Sequence, residues 1–172
     1  SSCRVRISTR PISNPGGTLD VAVALNWEDF MKFGAELPVG GSTVVIYEAK
    51  SGVAPDRLPM VGVTPAEAIA VPIAELAKKF AGTDRAKNTI VLGLLSGWFG
   101  IGGDPILAGI RKRLAKKGAK VVDGAVRTFE AGAAWAAEHP LQRPVRLDLP
   151  AEHGRPKLLT DGNDMTAAAA IF

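Results

Sequence analysis

The sequence predicts an α/β fold: a doubly wound, mostly parallel sheet with helices on both faces, Rossmann-like but without the dinucleotide fingerprint. Two apolar runs and one junction predict it. Residues 19–25, Leu-Asp-Val-Ala-Val-Ala-Leu, and residues 43–47, Thr-Val-Val-Ile-Tyr, are almost continuously apolar. Neither run alternates with polar residues, so each suits a strand buried on both faces. The first run stops at Asn26, and Trp27-Glu28-Asp29-Phe30-Met31 then opens a helix with acids at its positive end. Ligands of such folds sit at the carboxyl ends of the strands, which makes Asn26 a candidate site residue. The plainer alternative is a strand-to-helix turn in which asparagine tolerates an unusual backbone angle.

Composition sets the outer bounds. The chain has 172 residues, enough for one domain with its own core. A formal net charge of +4 is too weak to argue for nucleic acid, and 6% aromatics is too few for base-stacking platforms. The one cysteine, Cys3, cannot close an internal disulfide or hold an iron–sulfur cluster. That usage reads as intracellular, hence cytoplasmic. No apolar run reaches the roughly 18 residues that span a membrane.

In chain order, residues 4–8 (Arg-Val-Arg-Ile-Ser) alternate charged and apolar side chains and predict a strand with one wet face. Pro11, Asn14, Pro15, Gly16 and Gly17 make a loop. The strand at 19–25 and a helix reaching Leu37 follow. Pro38-Val39-Gly40-Gly41 then turns the chain into the second buried strand. Residues 49–65 read as loop with one short strand at most, and 68–71 as a weak strand. Pro72 suits the first turn of a helix ending near Phe80, with Lys78 and Lys79 at its negative end.

Residues 85–99 predict a helix that is apolar on most sides and belongs in a core or an interface. Gly93 and Gly97 would let another backbone come close. Gly100-Ile101-Gly102-Gly103 is not a phosphate loop, because it follows a helix and Pro105 stands where a third glycine is needed. The next helix has Asp104 as its expected N-cap, Pro105 after it, and Gly118 beyond its end. Arg111, Lys112, Arg113, Lys116 and Lys117 crowd its last turns. They read first as a solvated face that complements the dipole, with an anionic ligand or an acidic partner as the sharper alternative.

Residues 121–139 predict one more helix, ended by Pro140. Residues 141–157 read as a linker. His139 and His153 form no metal-ligand spacing and are expected to be exposed. Both ends read as cut: the chain opens inside a strand pattern, and residues 165–172 begin an Ala-rich helix without a stop signal. No nucleophile–base set, carboxylate pair or metal cluster can be assembled from the sequence.

The order of segments resembles the gamma-type domain of 2-oxoacid:ferredoxin oxidoreductases. The matching residues are Val5-Arg6-Ile7-Ser8 with Pro11-Ile12, the run from Leu19 to Asn26, and Gly40-Gly41 before the second strand. Lys87-Asn88 with Leu92-Gly93, and Phe129-Glu130-Ala131-Gly132, complete the set. Residues 158–164, Leu-Leu-Thr-Asp-Gly-Asn-Asp, are similar to the start of the family's pyrimidine-side thiamine-diphosphate domain. Domain and follower stand in this order in 2-oxoglutarate-type alpha subunits. The resemblance thus divides the chain into a gamma-type domain at 1–140 lacking its N-terminal part, a linker at 141–157, and a truncated thiamine domain at 158–172. The family's Arg-Gly-Gly before the first strand is absent, and Asp123 stands where an asparagine is expected.

The resemblance implies an enzyme that oxidatively decarboxylates a 2-oxoacid with coenzyme A and passes electrons to ferredoxin. Thiamine diphosphate, Mg2+ and a 4Fe–4S cluster would serve the full enzyme, and these residues alone would hold none of them and show no turnover. A beta subunit, ferredoxin, coenzyme A and the 2-oxoacid are the implied partners, in a dimer of heterodimers, with no nucleic acid and no membrane. No catalytic residue falls within the chain. Arg6, Ser8 and Asn26 are the implied substrate-side or coenzyme A-side residues. The competing expectation is a non-catalytic α/β module that only joins subunits.

Overall fold

The structure, a computed structural model, describes residues 4–7, 16–33, 36–51 and 63–144. In chain order the elements are β1 (Val21–Ala24), α1 (Trp27–Phe33), β2 (Val44–Glu48), β3 (Glu67–Val71), α2 (Ile73–Ala81), α3 (Lys87–Phe99), α4 (Gly103–Leu114) and α5 (Ala119–Glu138). The three strands form one parallel sheet in the order β1-β2-β3. Val21 pairs with Val44 and Ala24 with Tyr47, while Val44 pairs with Glu67 and Glu48 with Val71. The two apolar runs are therefore adjacent parallel strands.

β2 is the central strand and all of it is buried. The two-residue period of a strand sends Val44 and Ile46 to one face and Val45 and Tyr47 to the other. On the first face Ile73 and Ala77 of α2 and Ile90, Leu94 and Trp98 of α3 close the main core. Ile46, Ile73, Ile90 and Leu94 are fully buried. Each such side chain contributes about 1.5–3 kcal/mol of transfer free energy. On the second face Phe30 and Trp27 of α1 pack with Ala22, Ala24, Val45 and Tyr47. Helices thus cover both faces. Thr43 ties the near ends of β1 and β2, donating to the Leu19 carbonyl at 2.6 Å and accepting from the Gly40 amide at 2.9 Å.

α5 packs on α3 and α2. Trp98 donates its indole N–H to the His139 carbonyl at 2.8 Å and meets Trp135 edge-on. The ring of His139, an exposed residue, stacks on Trp135 at 3.9 Å. Leu141, where the linker was expected to start, is buried in the main core.

Three expectations need correction. Residues 4–7 form no strand and are exposed; Arg4 instead donates to the carbonyls of Gly16 and Gly17. An alternating pattern needs a neighbouring strand, and residues 4–7 have none among the described residues. α1 ends at Phe33, not at Leu37. α4 starts at Gly103 with Gly102 as its cap, so Asp104 lies inside the first turn, where it still complements the dipole. The glycines at 100–103 serve as the end of one helix and the start of the next, with Gly100 left-handed at φ 70°. Ser8, most of the 49–65 loop, His153, most of the linker and the segment at 158–172 lie outside the described residues.

Candidate functional site

A cavity of about 380 Å3 opens at the carboxyl ends of β1 and β2. Leu25, Asn26, Trp27 and Glu28 line it from the β1–α1 junction. Glu48, Lys50 and Ser51 line it from the end of β2, and Ala74 and Lys87 from the first turns of α2 and α3. The place is the one that parallel-sheet topology favours for a ligand.

Asn26 caps α1. Its Oδ1 accepts from the Asp29 amide at 3.1 Å, and its carbonyl accepts from the Phe30 amide at 3.1 Å. That satisfies one of the orphan amides of the helix start. The cap explains why the apolar run ends in asparagine, and the same residue is exposed and lines the cavity. Trp27 beside it stacks on Phe30 at 5.4 Å and leans on Tyr47 at 5.7 Å.

Glu48 is the buried acid of the site. Its Oε2 accepts from the Ala74 amide at 2.8 Å and its Oε1 from the Lys50 amide at 3.3 Å. The carboxylate thus sits at the positive end of α2 and satisfies an orphan amide there. Glu48 occupies that helix end, and the cations that line the cavity are Lys50 and Lys87. Lys50 makes an ion pair with Glu75 at 3.5 Å, with both side chains mostly exposed, a contact worth little. Lys87 is partly buried and makes no ion pair with a described carboxylate. Ser51 carries a buried Oγ without a hydrogen-bond partner among the described residues. Leaving a hydroxyl buried and unpaired costs about 1–3 kcal/mol.

Of the candidate residues from the sequence, Asn26 lines the cavity. Arg6 is exposed and lies against Gly16 instead, and Ser8 is outside the described residues. Glu48, Ser51 and Lys87 were missed. Glu48 ends an apolar strand, which was the available signal for it. The roles of Ser51 and Lys87 depend on tertiary neighbours. Among the described residues no group of three or more His, Cys, Asp or Glu could hold a metal ion. No helix there is long and apolar enough to cross a membrane.

A small parallel sheet with helices on both faces and a cavity at its strand ends defines an α/β domain. Residues 1–135 match the pyruvate ferredoxin/flavodoxin oxidoreductase family, and the chain belongs to it. It is 33% identical over 142 residues to the ketoisovalerate oxidoreductase subunit VorA of Methanothermobacter thermautotrophicus, covering 81% of this chain and 28% of that protein. It is similar, at a TM-score of 0.68 and 28% identity, to a solved 2-oxoglutarate:ferredoxin oxidoreductase from Magnetococcus marinus. That structure holds 2-oxoglutarate, coenzyme A and succinyl-CoA, and the match covers 83% of this chain and 24% of that one. The chain thus spans about a quarter of the length of these relatives.

Proposed function

We propose that this chain is the gamma-type domain of a 2-oxoacid:ferredoxin oxidoreductase, of the 2-oxoglutarate-type alpha-subunit arrangement. The full enzyme converts a 2-oxoacid and coenzyme A into acyl-CoA and carbon dioxide, and the released electrons go to ferredoxin. Thiamine diphosphate, Mg2+ and the 4Fe–4S cluster belong to other parts of the enzyme, which works in the cytoplasm with its beta subunit. The domain shapes the assembly and presents its strand-end cavity to the coenzyme A side.

The cavity at the ends of β1 and β2 carries this reading. Its volume, about 380 Å3, falls within the usual range for small-ligand sites and suits one arm of coenzyme A. Lys87 offers a cation to a phosphate, and Ser51 Oγ and the Asn26 amide group offer hydrogen bonds. The test uses the full enzyme. Lys87→Ala should raise KM for coenzyme A about fivefold to tenfold with kcat little changed, the mark of lost ground-state binding.

A second reading, a non-catalytic subunit-joining module, is favoured by the cap role of Asn26, which explains that residue without a ligand. An unchanged KM for coenzyme A in Lys87→Ala and Ser51→Ala would select it.

A further inference from the structure

Six cations, Arg111, Lys112, Arg113, Lys116, Lys117 and Lys120, fall within ten residues at the end of α4, the 3-10 turn Ala115–Lys117 and the start of α5. All six are exposed. No acidic residue stands between Asp104 and Asp123, and none of the six makes an ion pair with a described carboxylate. The six exceed the chain's formal net charge of +4, so the rest of the chain is net acidic. The positive charge is concentrated in this ten-residue stretch.

Helix stabilisation explains part of the cluster, because cations in the last turn of α4 meet the negative end of its dipole. It does not explain Lys120, which sits in the first turn of α5, at a positive helix end with no acid in that turn. Nor does it explain Gly109. A Cβ there would meet nothing within 4 Å, so no close contact inside the chain calls for glycine, and glycine weakens a helix interior. Ala108 and Gly109 are both exposed and lie one turn before Lys112. Together they leave a low strip beside the cations where another surface can come close. None of the six cations lines the cavity.

We propose that residues 109–120 are the docking face for an acidic protein, the dissociable electron carrier that collects electrons from the enzyme. Charge complementarity selects an acidic partner, speeds its encounter and makes the contact sensitive to salt. The proposal rests on the oxidoreductase reading above.

The test is steady-state turnover of the full enzyme with ferredoxin and, separately, with a small viologen dye. The variants are the triple Lys112→Glu/Lys116→Glu/Lys117→Glu and the same triple to Gln. In the Glu triple, KM for ferredoxin at low ionic strength should rise about tenfold, and its dependence on salt should flatten. Dye turnover should not change, because a small acceptor needs no docking face. The Gln triple should show a smaller rise in the same direction. An unchanged KM and salt dependence for ferredoxin, with dye turnover intact, overturns the proposal. Loss of dye turnover in both triples also overturns it, because the face would then be built into the assembly. A parent enzyme that reduces neither acceptor would sink the oxidoreductase reading itself, a distinct result.

Discussion

Gly93 of α3 and Gly132 of α5 face each other where the two helices cross. A Cβ on Gly93 would stand 2.8 Å from the Ala133 amide nitrogen and 3.0 Å from the Gly132 Cα, and would run into the Phe129 carbonyl oxygen. A Cβ on Gly132 would lie 3.1 Å from the Gly93 Cα and run into the Ile90 carbonyl oxygen. One turn on, Gly97 would meet Ala136 at 2.8 Å. The close backbone approach that the glycine spacing predicts is thus filled from within the chain, by α5. Leu92 of α3 is the large apolar residue left 38% exposed on this helix.

Gly93→Leu should therefore overpack a backbone-to-backbone contact. The expected cost is about 3 kcal/mol, the upper end of the usual range for overpacking. The melting temperature should drop by several degrees and stay constant across a hundredfold dilution, since the contact is intramolecular. A drop that grows on dilution would put the glycine strip between chains instead.

Glu48 gives a second stability prediction. Glu48→Ala leaves the Ala74 and Lys50 amides without their carboxylate and opens the start of α2. The loss should be about 2 kcal/mol, a missing helix cap plus an orphaned buried donor. Glu48→Gln keeps one acceptor and should lose about half as much. Urea unfolding of the three proteins measures this, and an alanine variant as stable as the parent would show that the carboxylate does not hold α2.

How much of this could be read from the sequence depends on how local each cause is. β1, β2 and α3 were legible because an unbroken apolar run states burial directly, whichever neighbour covers it. Residues 4–7 were misread because alternation says only that one face is wet; Arg4 bonds to a glycine turn 12 residues away, which no periodicity encodes. The start of α4 was misplaced because Asp104 and Gly102 are both acceptable caps, and the chain's path out of α3 decides between them. Asn26 was legible as the end of a strand. Glu48 could be read in the same way, but its role as the cap of α2 could not, since its partner Ala74 lies 26 residues on.

Leu141 tests where the folded unit ends. It is 7% exposed and packs in the main core, and the next amide, that of Gln142, donates to the Glu67 carboxylate at 3.1 Å. Leu141→Ala should cost about 2 kcal/mol, the low end for a large-to-small change at a site near the surface of the core. A chain cut after residue 140 should melt lower than one cut after 144. Equal melting temperatures would mean that Leu141 contributes nothing to the core.

Asn26 carries two possible roles that one substitution cannot separate. As a cap it offers Oδ1 to the Asp29 amide, and as a cavity residue it offers the amide group at the other side of the same side chain. Asn26→Ala removes both, so its expected loss of about 1 kcal/mol reports only the cap. Asn26→Ser and Asn26→Asp keep a good capping oxygen and discard the amide group. Both should melt within about 0.5 kcal/mol of the parent, the ordinary range for a surface change that spares the cap. If the amide meets the ligand, both should still raise KM for coenzyme A in the full enzyme. Asp should do so more strongly than Ser, because its charge also opposes the phosphates. Normal melting together with a normal KM in both variants would reduce Asn26 to a helix cap and leave the cavity's ligand role to Ser51 and Lys87.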